Sequence, residues 1–396
     1  MSTLRRSPPR IARPRLTQLG PRDRAAAWHL SGVAPGAQLR VSPDGRYGAL
    51  FGGATAEPST VHFLVFAELR ALDSLDLGAR VCDLEFVDPE RALALCDDGR
   101  RCLVSLPDAG VERVAHGSAR HRYLARCEDP HRVLVWGGDD LAAGHWELVD
   151  GLTLDLRWRL DLACFGGADP LGLYPQLSPD GASLAVAAEA PQRPAAWAPA
   201  VIFDTVSNRR TEAACALEGW SFVFHEDGLV GGFAACGVAG DGAYVWLTPD
   251  GAVGGSYSPP VPAGSPLRQV LQRAPGLVWF VPGPENTMLR FDPREGAPAS
   301  YAVDALRPDR AGTAALEALD DGSALGITLD GARCTLRRAA LGATEVYDWV
   351  AFDGPSIAIA PAMMVPRGGG VFELATPGER PERVLVRLAA PPGSWR

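Results

Sequence analysis

Lysine is missing from the sequence, so all 38 of its lysine-or-arginine positions are arginine. Phosphate-binding loops of the Gly-x-x-x-x-Gly-Lys type are therefore excluded. The sequence also has no Gly-x-Ser-x-Gly nucleophile motif and no Gly-x-Gly-x-x-Gly dinucleotide motif. These absences argue against a serine peptidase with a hydrolase domain and against the two common nucleotide-binding folds.

Long apolar runs are missing as well. The first 20 residues contain charge and proline but no apolar stretch of seven residues, so we expect no secretory signal. No run approaches the 18 or so apolar residues of a transmembrane helix, so we expect no membrane span. These two absences favour a cytoplasmic protein.

Closely paired cysteine motifs are absent, although the chain has eight cysteines. No two of them form a Cys-x-x-Cys motif, and most lie inside strand-like apolar runs. We therefore predict buried free thiols in a reducing compartment rather than a disulfide framework. The cysteines are Cys82, Cys96, Cys102, Cys127, Cys164, Cys215, Cys236 and Cys334.

Turn-forming residues are abundant, with 44 glycines and 34 prolines in 396 residues. Both disrupt helix interiors and are common in tight turns between strands. Segments 42–45 and 178–181 both read Ser-Pro-Asp-Gly, and each stands between two apolar runs. Proline presets φ at the first central turn position and glycine accepts a positive φ, so each segment predicts a β-hairpin.

Weaker copies of this turn follow at a regular interval. Marked by their last residues, seven turns fall at positions 45, 90, 131, 181, 228, 276 and 322, which are 41 to 50 residues apart. Each unit has room for a second hairpin, such as those around the turns 97–99 and 248–251. Four short strands in a repeat of this length are typical of one blade of a β-propeller.

The number of blades depends on the chain ends. One more interval of 46 leads from position 322 to the segment 367–370, which lies in most of an eighth unit. The apolar segment 27–30 can supply the strand that this unit lacks, and joining the two ends would protect the sheet edges. We therefore predict an all-β fold, a single β-propeller of seven or eight four-stranded blades over residues 26–396, and we favour eight.

The Ser-Pro-Asp-Gly hairpins resemble those of WD-repeat-like and Tol-type bacterial propellers over about residues 26–390. The resemblance implies the fold and says almost nothing about function. Gly-His and Trp-Asp pairs do not recur at the ends of the units. The hydrogen-bond network of Asp, His, Ser or Thr, and Trp that WD repeats share is therefore not assigned to residues of this chain.

Residues 1–25 differ from the rest of the chain in charge. They hold seven arginines against a single acid, Asp23, whereas the whole chain has a net charge of −9. We predict an Arg/Pro-rich arm, disordered when alone, in front of an acidic propeller. The arm could bind an acidic protein surface or nucleic-acid phosphates, or lie across its own propeller. Its candidate partner-binding residues are Arg5, Arg6, Arg10, Arg13 and Arg15.

Trp197 is the other candidate partner-binding residue. It lies in a proline-rich insert at 191–199, and a stiff loop that presents an aromatic ring can bind a partner. The alternative, which we favour, is that Trp197 folds back onto its own blade. The scattered histidines and the acidic turns have no ligand spacing for zinc or calcium, so we predict no metal, no cofactor and no catalytic residue.

The leading hypothesis is a non-enzymatic protein–protein interaction scaffold or sensor subunit of a bacterial cytoplasmic multi-protein system. A rigid ring displays many loops, so it can recognise one or more proteins without catalytic residues. Nucleic acid would bind only through the basic arm, because the body is acidic. The alternatives are a propeller enzyme with a funnel active site, lactonase-like or lyase-like and in some cases metal-dependent, or a propeller that binds a small molecule or sugar.

Overall fold

The computed structural model describes 25 segments of the chain. They are residues 15–18, 25–34, 36–53, 58–106, 108–117, 121–126, 129, 131–138, 144–165, 173–189, 197–218, 223–224, 230–234, 243–257, 269–273, 276–281, 287–291, 299–302, 315–318, 323–330, 333–340, 346–353, 363–368, 370–375 and 383–388. These residues form thirty-four β-strands and one 3₁₀ helix, Leu162–Phe165.

The described strands belong to eight antiparallel sheets, numbered here in chain order. The first two strands, which belong to sheet 8, are Arg15–Gln18 (β1) and Ala25–Ser31 (β2). Sheet 1 contains Ala37–Val41 (β3), Tyr47–Gly52 (β4), Thr60–Val65 (β5), Arg70–Ala71 (β6) and Leu75–Asp76 (β7). Sheet 2 contains Val81–Phe86 (β8), Arg91–Cys96 (β9), Arg100–Ser105 (β10) and Gly110–His116 (β11). Sheet 3 contains His121–Arg126 (β12), Val133–Gly137 (β13), His145–Val149 (β14) and Leu156–Asp161 (β15).

In sheets 4 to 7, as in sheets 2 and 3, the four strands pair in chain order. Sheet 4 contains Leu173–Leu177 (β16), Ser183–Ala188 (β17), Pro199–Asp204 (β18) and Arg210–Ala216 (β19). Sheet 5 contains Val223–Phe224 (β20), Val230–Phe233 (β21), Tyr244–Leu247 (β22) and Val253–Tyr257 (β23). Sheet 6 contains Gln269–Arg273 (β24), Gly276–Val281 (β25), Thr287–Phe291 (β26) and Ala299–Ala302 (β27). Sheet 7 contains Ala315–Ala318 (β28), Ser323–Asp330 (β29), Arg333–Ala340 (β30) and Val346–Asp353 (β31). Sheet 8 adds Met363–Gly368 (β32), Val371–Ala375 (β33) and Arg383–Leu388 (β34) to β1 and β2.

The predicted turn repeat coincides with this architecture. Each of the seven predicted turns lies between the first and second strands of one of sheets 1 to 7, and the segment 367–370 reaches the same place in sheet 8. The two Ser-Pro-Asp-Gly turns share one set of hydrogen bonds. In the first, Ser42 Oγ donates to Asp44 Oδ1 at 2.7 Å and accepts from the Tyr47 amide at 2.9 Å, and Gly45 has a φ of 67°.

The prediction of an all-β propeller is confirmed. The choice of eight blades over seven stays a prediction, and the eight sheets of the described strands favour it.

Sheet 8 joins the two ends of the chain. Strand β2 pairs with β34, with Ala25 opposite Leu388 and Leu30 opposite Arg383, as the apolar segment at 27–30 led us to expect. The boundary of the arm at residue 25 stays a prediction, and within residues 1–25 strand β1 adds a fifth strand to this sheet. The reason is that the outer edge of β2 offers free backbone groups, and Arg15–Gln18 pairs with them.

Apolar side chains fill the spaces between successive sheets. Five clusters of buried residues join sheet 8 to sheet 1 and then connect sheets 1 through 5 in order. The cluster of sheets 1 and 2, for example, packs Phe51 and Phe63 against Leu84 and Phe86. Strands at the sheet centre, such as β9, are almost fully buried, whereas the fourth strand β11 is exposed along most of its length. Burial between sheets therefore fixes the first three strands and leaves the fourth at the surface.

Candidate partner-binding surface

The turns after the first and third strands of each sheet lie at the same edge, because the strands are antiparallel. Neighbouring sheets bring these edges together. Arg387 of β34 donates to the carbonyl oxygen of Asp44 at 2.8 Å, and Arg132 donates to that of Gly181 at 3.0 Å. We call this edge of sheets 1 to 5 the turn face. It comprises the turns after β3, β5, β8, β10, β14, β16, β18 and β22.

Large apolar side chains are exposed in one part of the described structure. All five that are more than a third exposed lie on the fourth strands of sheets 2, 3 and 5, or in the turn before the fourth strand of sheet 4. They are Val111 (43%), Val114 (47%), Leu156 (53%), Val206 (74%) and Val253 (39%).

Three of these residues occupy equivalent positions. Val111, Leu156 and Val253 each lie at the turn-face end of a fourth strand, immediately before a β-bulge. The extra residue of the bulge is Glu112 in sheet 2, and it is Arg157 and Gly254 in sheets 3 and 5. A bulge bends its strand and changes the direction of its side chains. We call Val111, Leu156, Val206 and Val253 the apolar rim.

Each apolar rim residue has a carboxylate close by in the chain. Asp108, Asp155, Asp204 and Asp250 lie one to three residues before Val111, Leu156, Val206 and Val253 respectively. Hydrogen bonds from Ser207 lower the pKa of Asp204, and one from Thr248 lowers that of Asp250, so both are ionised at neutral pH. The rim therefore combines exposed apolar surface with negative charge.

A groove of about 500 Å³ opens on the turn face of sheet 2. It is lined by Asp88, Pro89, Glu90, Arg91, Ser105 and Glu112. Arg91 neutralises Asp88, with Nη2 2.6 Å from Oδ2. Glu90 is exposed, and its carboxylate lies 3.8 Å from Arg46. Among the described residues, no cationic group lies within 4.0 Å of the Glu112 carboxylate. The groove therefore has a negative charge that its own residues do not balance.

A buried ion cluster joins sheets 2 and 3. The Arg101 guanidinium of β10 contacts the Glu147 carboxylate of β14, and His145 Nε2 lies 3.3 Å from Glu147 Oε1. Arg159 approaches the same oxygen at 3.6 Å. Burial lowers the pKa of Arg101 to about 10, and burial together with Arg159 and Arg101 lowers that of His145. A neutral His145 beside an ion pair suits a structural link between sheets.

A second ion pair joins the first strands of sheets 1 and 2. Arg40 Nη2 of β3 lies 3.1 Å from Asp83 Oδ1 of β8, and its Nε lies 3.3 Å from Glu85 Oε2.

In the part of the chain that the structure describes, no three His, Cys, Asp or Glu side chains are grouped as metal ligands. That part of the chain also contains no helix with the length and apolarity to cross a membrane.

Of the predicted partner-binding residues, Arg15 and Trp197 are described, and neither lies on the turn face. Arg5, Arg6, Arg10 and Arg13 are outside the described residues, and Arg15 begins β1 at the outer edge of sheet 8. Trp197 lies at the opposite edge of sheet 4, between β17 and β18, where it bridges to Glu189. The Trp197 ring is 5.2 Å from that of Tyr174 and packs against the cluster of sheets 4 and 5. This is the contact with its own blade that we favoured. A role in partner binding stays a prediction.

The cysteines that are described are free thiols. Cys96, Cys102 and Cys215 are buried as predicted, whereas Cys164 in the 3₁₀ helix is exposed. Burial raises the pKa of the Cys215 thiol, so this sulfur is neutral. Cys127, Cys236 and the side chain of Cys334 lie outside the described part of the structure.

The apolar rim was not identified from the sequence. Val111, Leu156 and Val253 look like ordinary strand residues in an alternating pattern, which predicts burial for one side chain in two. Their exposure results from the bulges and from the outer position of the fourth strands, and neither has a clear sequence signal. The sequence does show an Asp one to three residues before each of these residues.

Solved structures of known propellers match this architecture. Sqt1 from Chaetomium thermophilum has a TM-score of 0.56 at 14% identity, over 91% of this chain and 97% of Sqt1. The Dos1 propeller has a TM-score of 0.55 at 10% identity, over 96% of this chain and 97% of that one. The dihydro-heme d1 dehydrogenase NirN has a TM-score of 0.51 at 15% identity, over 89% of this chain and 76% of NirN. The chain has the fold of a WD-repeat-like β-propeller.

Sequence comparison adds nothing beyond the fold. No protein-family model matches the chain, and no curated protein matches it. Identities of 10 to 15% to the solved propellers show the fold alone. The function must therefore be argued from the surface of this chain.

Proposed function

We propose that this chain is a non-enzymatic scaffold of the cytoplasm that binds one or more protein partners through its turn face. The observation that carries the proposal is the apolar rim, because Val111, Leu156 and Val253 are exposed at one equivalent position in three sheets. Grouped exposed apolar side chains with polar neighbours are typical of protein interaction sites. Repetition around the ring lets one partner contact several sheets at once.

A propeller of similar fold supports this role. Sqt1 from Chaetomium thermophilum has been solved bound to the N-terminus of the ribosomal protein L10, and that structure matches this chain with a TM-score of 0.53. The identity is 14%, over 89% of this chain and 96% of Sqt1. In that protein the fold receives a segment of another protein. For the present chain we infer the same general use of the fold, with a different partner.

The experiment is affinity capture of partners from the native cytoplasm at moderate salt, followed by mass spectrometry. The tagged full chain is compared with the triple variant Val111→Ser, Leu156→Ser and Val253→Ser, whose side chains are exposed enough for the fold to tolerate the change. The matched control carries Asp73→Ser and Asp97→Ser, two exposed residues away from the turn face. Asp73 lies midway along the outer edge of sheet 1, between β6 and β7, and Asp97 lies in the turn after β9. A chain that lacks residues 1–14 tests the basic arm.

We expect a stoichiometric protein partner with the full chain and with the control, and its loss from the triple variant. Equal capture by the triple variant would exclude the apolar rim as the binding surface. Recovery of one equivalent of bound metal without any protein would instead favour the enzyme alternative. Nucleic acid that disappears only with residues 1–14 would limit binding to the arm.

A further inference from the structure

We propose that the groove of sheet 2 binds a cationic side chain, arginine or lysine, from an extended basic segment of the partner. This inference rests on the proposed scaffold function and specifies the chemistry of its partner. It assigns a binding site to Glu90 and Glu112, which the sequence did not single out.

The charges in the groove point to a cation. Asp88 is already used, because its Oδ1 accepts the amides of Glu90 at 2.9 Å and Arg91 at 2.7 Å while its Oδ2 binds the Arg91 side chain. Within the described part of the chain, the one ion pair of the Glu90 carboxylate is the long contact with Arg46, in which both side chains are more than half exposed. No cationic group of the described residues lies within 4.0 Å of the Glu112 carboxylate. A guanidinium or ammonium group would balance these two carboxylates through charge-assisted hydrogen bonds.

The shape of the groove suits a side chain of an extended segment. Its volume of about 500 Å³ is within the usual range of sites for small ligands. Glu112, the extra residue of the bulge in β11, and Ser105 at the end of β10 both line the groove. The turn after β8 contributes Pro89 and Glu90, which are both exposed. A partner can therefore reach the groove without a change in the fold.

Apolar surface lies next to the groove on the same strand. Val111 is paired with Val104 of β10, and Val114 is paired with Cys102. Val104 and Cys102 point to the same side of sheet 2, because both belong to the core cluster of sheets 1 and 2. Both valines are exposed. A segment that places a cation in the groove would thus have apolar contacts beside it. Acidic groups repel phosphates, so the same surface disfavours nucleic acid.

The test uses a labelled synthetic peptide with the sequence of residues 1–14, because it contains four arginines and no acid. Its binding to the full chain is followed by fluorescence anisotropy at low salt. The variant is Glu90→Gln with Glu112→Gln, and the matched control is Asp73→Asn with Asp97→Asn, two exposed carboxylates that lie neither in the groove nor on the turn face. A second peptide replaces its four arginines with alanine.

We expect saturable binding that weakens as salt rises, and a loss of affinity of about tenfold in the glutamine variant. The control should stay within about twofold of the native chain, and the alanine peptide should not bind. Absence of binding to the native chain would overturn the proposal. So would equal losses in the two variants.

Partner capture separates this inference from the scaffold function. If the glutamine variant retains the partner and the serine variant of the apolar rim loses it, the groove proposal is wrong and the scaffold function stands. If both variants retain the partner, the turn face is not the binding surface. Loss of the partner from both variants, with the Asp73 and Asp97 control intact, supports both proposals.

Discussion

Nη1 of Arg132 donates a hydrogen bond to the carbonyl oxygen of Gly181, 3.0 Å away in the next sheet. The same oxygen accepts a hydrogen bond from Thr205 Oγ1 at 3.0 Å. Gly181 closes the Ser-Pro-Asp-Gly turn of sheet 4 with a φ of 66°. A side chain of one sheet therefore fixes the turn of the following sheet, which keeps the turn face in register.

Replacing Gly181 with alanine should destabilise the protein more than the same change at Gly52. Both glycines have positive φ, at 66° and 67°, so an alanine at either site costs about 1 to 2 kcal/mol in backbone strain. A Cβ at Gly181 would also lie 2.4 Å from Arg132 Cδ, whereas a Cβ at Gly52 would meet nothing within 4 Å. Urea unfolding of both variants measures the difference.

A double variant checks the cause of that difference. Adding Arg132→Ala to Gly181→Ala should relieve the clash with Cδ and Cγ of Arg132, although the approach of its Cβ at 2.8 Å is kept. The two single losses of stability should therefore add to more than the loss in the double variant. Strictly additive losses would show that Arg132 does not pack against the turn. Equal losses in Gly181→Ala and Gly52→Ala would show the same.

The stability of the protein should depend on pH through His145. Its folded-state pKa is lowered by burial, Arg159 and Arg101, so the unfolded chain takes up the proton first. The stability from neutral His145 is thus fully present above the unfolded pKa of about 6.5 and is lost as the pH falls through the lowered folded pKa. Urea midpoints measured from pH 7.5 downwards should fall less steeply in His145→Gln. An unchanged slope in that variant would contradict the lowered pKa.

Trp197→Ala distinguishes the two interpretations of this residue. The ring is partly buried against Tyr174 and its own sheet, so we expect a loss of about 1 to 2 kcal/mol in unfolding free energy and unchanged partner capture. Stability is measured by urea unfolding and capture by the pull-down described above. Unchanged stability with loss of the partner would restore Trp197 as a partner contact.

The sequence predicts the repeat because turn chemistry is local. The side chain of Asp44 holds its turn through hydrogen bonds within residues 42–46, and Gly45 supplies the positive φ. The turn can therefore be predicted wherever Ser-Pro-Asp-Gly occurs. Closure of the chain ends was also accessible, since the segment around Trp28 had apolar character and the last unit lacked a strand. Strand β1 was missed because its few residues, between prolines and arginines, have no strand pattern.

The candidate surface could not be predicted because it depends on contacts between distant parts of the chain. Asp88 and Glu112 line one groove only because β8 and β11 belong to the same sheet. The bulge that exposes Val111 is a property of strand pairing, which a residue pattern does not encode. The positive charge of the arm is visible in the sequence because its arginines are close together in the chain. The negative charge of the turn face comes from residues that only the fold brings together.

The most direct test of the turn face is hydrogen–deuterium exchange of the full chain with and without its captured partner. We predict that binding slows exchange in β11, β15 and β23, which contain Val111, Leu156 and Val253, and leaves the opposite-edge loops at 77–80 and 97–99 unchanged. Protection confined to those opposite-edge loops, with β11, β15 and β23 unaffected, would contradict the account.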